Sequence, residues 1–222
     1  MNDKIVSMRH NHFSDGKGWG VREIRESSAE LLDLLDHKHF YLPYLQKMTT
    51  ENRKREWLAV RVLLKELLDE EKEILYTESG CPYLADRSGR ISISHTKGCV
   101  AVAWSNRGAV GVDIEYLASR IKKITSRFMS ESEFSNVSPE NEIVHLLLHW
   151  SAKESMFKAL NESDVEFRTC LHVSPFVPEM NILSSFHAFE TKTEKRHDFS
   201  IDYLATDDYV LTVTFLDEGR KG

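Results

Sequence analysis

The chain has 222 residues, 41% hydrophobic and 29% charged, with a formal net charge of −6. That length holds one large domain or two small ones with ample core, and the composition is ordinary for a soluble globular protein. The acidic balance excludes a general nucleic-acid binder, no apolar run approaches the roughly 20 residues that span a bilayer, and no long apolar h-region marks a signal peptide.

In chain order, residues 19–24 read as a short strand. Ser27 and Glu30 have capping-box spacing before Leu31, Leu32, Leu34 and Leu35, a helix start. Residues 51–68 carry the longest amphipathic pattern, with Trp57, Val60, Leu64, Leu67 and Leu68 as its stripe and Arg61 beside it. The acidic run Asp69, Glu70, Glu71 reads as a helix end in water with no functional role. Gly80, Cys81 and Pro82 make a turn. Residues 91–95 alternate apolar and polar and end on His95. Residues 96–98 are a turn, 99–104 a buried strand, and 106–108 a second turn. Cys81, Cys99 and Cys170 are scattered without a Cys-x-x-Cys pair, which fits a reducing cytoplasm and argues against a disulfide framework or zinc knuckle.

Residues 110–115 alternate strictly, so they form a strand with Gly111, Asp113 and Glu115 on one side. Two carboxylates two residues apart on a face repel unless something positive sits between them. Few, close, hard oxygen ligands suit Mg²⁺, which adds substrate phosphate oxygens to one or two carboxylates. Gly111 leaves room for a ligand or a backbone. A solvent-facing acidic strand edge is the plain alternative.

Residues 130–141 are polar, contain Pro139 and read as a loop. A helix follows in which Ile143, Leu147, Trp150 and Phe157 recur at three- and four-residue spacing. Glu154 falls on the same face, and Lys158 follows one turn later. A buried carboxylate requires a cation, either Lys158 or a bound metal. His145 and His149 have metal-ligand spacing, but they lie off that face and no Glu follows the first. Most of the ten histidines are expected at the surface, and no zinc site is expected. Residues 186–190, 199–204 and 209–215 alternate as an antiparallel sheet. The expected organisation is an α+β fold in two halves, 1–107 and 108–222, each mixing helices with antiparallel strands. No internal sequence repeat is visible.

Three segments stand in a meaningful order: Ser92-x-Ser94-His95, then Gly111-x-Asp113-x-Glu115, then Trp150-x-x-Lys153-Glu154-x-x-x-Lys158. The stretch from Arg127 to Glu133 lies between the last two. This ordered set resembles the 4′-phosphopantetheinyl transferases, specifically the longer single-chain type that activates carrier proteins, with motifs from about residue 80 to 158. The resemblance implies two similar α+β halves related by a pseudo-twofold, with coenzyme A (CoA) in the cleft between them. It implies Mg²⁺-dependent transfer (Mn²⁺ as an alternative ion) of the 4′-phosphopantetheine arm from CoA to a serine of an apo acyl or peptidyl carrier protein. The products would be holo carrier protein and adenosine 3′,5′-bisphosphate.

By the same resemblance, Asp113, Glu115 and Glu154 are the metal ligands, and Glu154, Lys158 and His95 are catalytic. Arg55, Arg61, Gly80, Pro82, Ser94, His95, Lys153 and Lys158 would meet CoA. The serine proton would go to Glu154, directly or through a metal-bound water, or to Glu133. The family usually has Gly-Lys-Pro where this chain has Gly80-Cys81-Pro82, which removes one expected phosphate contact. CoA and carrier proteins are acidic, as this chain is, so local basic patches must attract them. The candidates are Lys47 with Arg53, Lys54, Arg55 and Arg61, and Arg120, Lys122, Lys123 with Arg127. A cytoplasmic monomer without nucleic-acid or membrane partners is expected. A non-catalytic relative that binds CoA or a carrier protein is the alternative. A different Mg²⁺-dependent phosphoryl enzyme would need a nucleotide-phosphate loop, and neither Gly-x-x-x-x-Gly-Lys nor Gly-x-Gly-x-x-Gly is present.

Overall fold

In the computed structural model of the chain, residues 8–217 are described. The chain divides after Arg107 into two compact units. In the first, strands β1 (Met8–Ser14) and β2 (Lys17–Glu23) make a hairpin through Asp15 and Gly16, both at positive φ. Helices α1 (Ser28–Asp33), α2 (Lys38–Lys47) and α3 (Glu51–Leu68) follow. Then come β3 (Ile74–Tyr76) and β4 (Pro82–Leu84), a two-stranded ribbon, and β5 (Arg90–Thr96) and β6 (Cys99–Ser105). The main sheet is antiparallel with order β1-β2-β6-β5. The core of this unit joins Leu58, Leu63 and Leu64 of α3 to Val100 and Val102 of β6.

The local signals explain why these elements start and stop where they do. The Ser27–Glu30 capping box forms: Ser27 Oγ accepts from the Glu30 amide while the Glu30 carboxylate accepts from the Ser27 amide. Thr50 caps α3, and Asp69 ends it in the left-handed conformation at φ 53°. In this unit β1, α2, β3 and β4 escape the sequence pattern. Helix α2 contains Pro43 and buries Tyr41 while Phe40, Leu42 and Tyr44 stay exposed, so it shows no amphipathic period. The acidic run after α3 is also not idle. The Glu71 carboxylate accepts from the amides of Asp36 (2.5 Å) and His37 (3.0 Å) and from the Tyr41 hydroxyl (2.8 Å). It thereby satisfies amides at the start of α2, which His37 does not cap with its own side chain.

The second unit opens with β7 (Gly108–Tyr116), a 3₁₀ turn (Ser119–Lys123), α4 (Thr125–Phe128) and α5 (Glu131–Phe134). The expected loop over 130–141 therefore contains a helical turn, begun by a Ser130–Glu133 capping box. Helix α6 (Glu142–Leu160), α7 (Phe167–Cys170), β8 (Leu171–Val173), β9 (Leu183–Glu190), β10 (Asp198–Ala205) and β11 (Tyr209–Asp217) complete it. The sheet is antiparallel with order β7-β11-β10-β9-β8. Both units are thus α+β with antiparallel sheets. Among the described residues, no helix is long and apolar enough to cross a membrane.

Helix α6 is buried on nearly every side, as a central core helix is. Ile143, Trp150, Glu154, Phe157 and Lys158 are half-buried. The stripe read from the sequence is therefore mostly the more open side of the helix, and Glu154 sits on it. His145 and His149 are not surface residues. Both are buried, with rings packed against Phe176 at 4.6 and 5.6 Å. Gly111 is required by packing: a Cβ there would lie 1.8 Å from the Ser155 carbonyl oxygen. The room on that face of β7 is taken by the α6 backbone, not by a ligand.

Candidate active site

The close approach of β7 and α6 assembles the acidic residues. Asp113 is 5% exposed, and Lys158 Nζ donates to its Oδ1 and to the Val112 carbonyl oxygen, both at 2.9 Å. Lys158 thus serves the strand; it makes no ion pair with Glu154. Trp150 Nε1 donates to Glu115 Oε1 at 2.8 Å. The Glu154 carboxylate has no hydrogen-bond or ion-pair partner among the described residues.

The three carboxylates act on one another. Burial, then repulsion from Asp113 and Glu115 against the opposing pull of Lys158, pushes the Glu154 carboxyl up to about 7. Burial and Asp113 also raise Glu115, while the Trp150 hydrogen bond, Arg120 and Lys158 oppose the shift. Beside Glu115 lies a cavity of about 370 Å³ lined by Tyr116, Arg120, Lys123, Leu147 and Trp150 among others. Below the acidic face, Thr212, paired in register with Asp113, links the hydroxyls of Ser151 (2.9 Å) and Ser155 (3.3 Å). The sequence pattern shows neither this hydroxyl set nor the Trp150 N–H, since Trp150 reads there as an apolar stripe position and as the first residue of the Trp-x-x-Lys-Glu segment.

The donor chemistry fits a hard divalent ion: Asp113, Glu115 and Glu154 repel one another, and the Glu154 carboxylate makes no ion pair among the described residues. The arrangement is not a finished cage. Lys158 occupies one oxygen of Asp113, and among the described residues no group of three His, Cys, Asp or Glu stands ready to hold an ion.

Other expected site residues are engaged elsewhere. Lys153 is fully buried, and its Nζ donates to the carbonyls of Phe128 (2.6 Å) and Phe167 (3.1 Å) and to Glu133 Oε2 (2.9 Å). Glu133 also accepts from the amides of Ser130 (2.8 Å) and Val173 (3.0 Å). The pair ties α5, α6, α7 and β8 together, which turns Lys153 away from any phosphate and saturates Glu133 as a proton acceptor. In the first unit, the Arg61 guanidinium lies 3.2 Å over the Trp57 ring and donates to the Trp57 carbonyl, and the side chain is 3% exposed. Arg55 donates to the carbonyls of Ile24 and Glu26, which pins α3 to the segment after β2. His95 is exposed and Ser94 buried at the end of β5. Gly80, at φ 85°, closes a turn in which the Thr77 amide donates to the Cys81 carbonyl, and Pro82 begins β4.

Residues 109–214 match the family model described as the 4′-phosphopantetheinyl transferase superfamily. The chain is 29% identical over 123 residues to the 4′-phosphopantetheinyl transferase AcpT of Escherichia coli O157:H7, covering 52% of this chain and 63% of that protein. It is 30% identical over 112 residues to the AcpT of Salmonella typhi, covering 48% of this chain and 58% of that protein. The chain thus spans less than two thirds of the length of these curated relatives.

Proposed function

We propose that this chain transfers the 4′-phosphopantetheine arm of CoA to a serine hydroxyl of an apo acyl or peptidyl carrier protein, with Mg²⁺. The observation that carries the reading is Glu154: a half-buried carboxylate without a partner, facing two others across the β7–α6 packing. Asp113, Glu115 and Glu154 would hold the ion, which supplies positive charge at the pyrophosphate being broken. The ion would be received by side-chain adjustment, since the cage is not preformed.

The chain's own groups have distinct tasks in this reading. Lys158 has used two of its three N–H donors on β7, and the third is available to a phosphate oxygen. Glu154 would take the serine proton, directly or through a water held at the ion site. Asp113, fixed by Lys158, and Glu115, fixed by Trp150, set the position at which the pyrophosphate is held. His95 and Ser94 are kept as CoA contacts, with the turn at Gly80 and Pro82. Lys153 is withdrawn from that set because its ammonium is spent on internal acceptors, and Arg55 and Arg61 because each is tied to backbone carbonyls, Arg61 also lying buried against the Trp57 ring.

The test is to incubate the protein with CoA, Mg²⁺ and a panel of apo carrier proteins, then weigh the intact carriers. A gain of one phosphopantetheine arm, abolished by EDTA and restored by Mg²⁺ or Mn²⁺, is expected. Turnover that survives complete metal removal would reject the ion site. CoA binding without modification of any carrier would leave a binding relative.

A further inference from the structure

The four tryptophans of this chain use their indole N–H groups differently. Those of Trp19 and Trp104 are buried and meet no acceptor among the described residues. Trp150 directs its N–H at a carboxylate oxygen, 2.8 Å away. We propose that Trp150 is a positioning residue for the divalent-ion site, holding Glu115 by Oε1 so that Oε2 is presented to the ion. This rests on the reading of Asp113, Glu115 and Glu154 as ion ligands.

Glu115 needs such a hold. It is the last inward-facing residue of β7, half-buried, with the exposed Tyr116 ending the strand. Asp113 is short, deeply buried and clamped by Lys158. Glu115 has a longer side chain, whose ordering costs up to about 2 kcal/mol of rotamer freedom. It also feels repulsion from Asp113, which favours swinging out to solvent. The indole opposes both. Its ring is itself immobilised between Phe128 (5.3 Å between centroids) and Phe167 (5.6 Å), so the N–H is a fixed donor. Packing alone does not call for a tryptophan: a phenylalanine would fill the aromatic cluster, and what the indole adds is the donor. Outer-sphere donors to metal-ligating carboxylates typically matter by 10–100-fold in affinity or activity.

The experiment is a double-mutant cycle on the full-length protein, with Trp150→Phe, Glu115→Gln and the combination. Mn²⁺ binding is read by electron paramagnetic resonance and calorimetry, and folding by thermal melts. Trp150→Phe is expected to weaken Mn²⁺ binding about tenfold or more. In the Glu115→Gln background the same change is expected to do little, because the hydrogen bond's target is already altered. Equal Mn²⁺ affinity of wild type and Trp150→Phe would overturn the proposal. So would an equal loss in both backgrounds, which is the mark of packing alone. A wild-type protein that binds no Mn²⁺ would overturn the ion-site reading and this proposal with it. Should Trp150→Phe fail to fold, benzothienylalanine at position 150 replaces the N–H by sulfur at nearly constant volume and carries the same expectations.

Discussion

Helices α3 and α6 both carry charged side chains into buried surroundings, and they treat them differently. On α3, Arg61 is closed off by the Trp57 ring and a backbone carbonyl of its own helix. On α6, Lys153 is closed off by two carbonyls and Glu133. Its neighbour Glu154 is not closed off at all, and two further carboxylates press on it. Burial by itself therefore does not mark a functional group. What distinguishes Glu154 from Lys153 is a carboxylate without a hydrogen-bonded partner, on which two like charges outweigh the pull of Lys158.

The contrast is broken most directly at Lys153. Lys153→Met should destabilise the protein by about 3–5 kcal/mol, because Glu133 is left as an unpaired buried charge. Urea unfolding measures this. Wild-type stability with weakened CoA binding would return Lys153 to the site.

Glu154→Gln should do the reverse. Transfer should fall about a hundredfold or more, the scale of one lost transition-state electrostatic contact. Stability of the metal-free protein should hold or rise. The folded-state value of Glu154 lies above that of the unfolded chain, so its contribution is full below the ordinary carboxylate value of 4.5 and is lost as pH rises through about 7. At pH 8 the Gln variant should gain roughly 1–3 kcal/mol, discounted for partial exposure, and near pH 4 nothing. Lower stability with near-normal transfer would make Glu154 a structural group.

Gly111→Ala sharpens the comparison from the packing side. The new methyl meets the Ser155 carbonyl, which should cost about 1–3 kcal/mol and push α6 away from β7. Because that spacing assembles the acidic face, transfer should drop with stability. Unchanged transfer in a destabilised protein would show that the spacing has slack.

The smallest expected effect is a pH dependence set by His145 and His149, whose rings lie 5.2 Å apart. Burial lowers both below the ordinary 6.5, and His149 is lowered further by His145 and Lys153. Their stabilising contribution is intact above about pH 6.5 and is lost as pH falls below it. Melting temperature should drop between pH 7 and 5.5, and His149→Phe should flatten that drop. An unchanged slope in that variant would assign the acid sensitivity elsewhere.

Much of this was legible from local pattern. The alternation over 91–95 and 110–115 and the apolar run over 99–104 appear as β5, β7 and β6 because turn residues bound each run. The 51–68 period appears as α3 with the same limits. The acidic face was legible because two-residue spacing on a strand fixes a side regardless of what packs there. Partners remote in sequence were not legible. Lys153 is neutralised by a residue 20 positions away and a carbonyl 14 away, which no periodicity encodes. Helix α6 hid its inner face because it is buried nearly all round, so the stripe of largest side chains pointed to the more open side.

The ammonium of Lys158 on Asp113 has a consequence for when this protein can fold. Many small metallo-domains, zinc fingers among them, fold only once metal arrives. Here one cation is encoded in the chain and already seated on the most buried carboxylate. If Asp113, Glu115 and Glu154 hold an ion as proposed, the second unit would not have to wait for it to fold, and loading would be a later event set by supply.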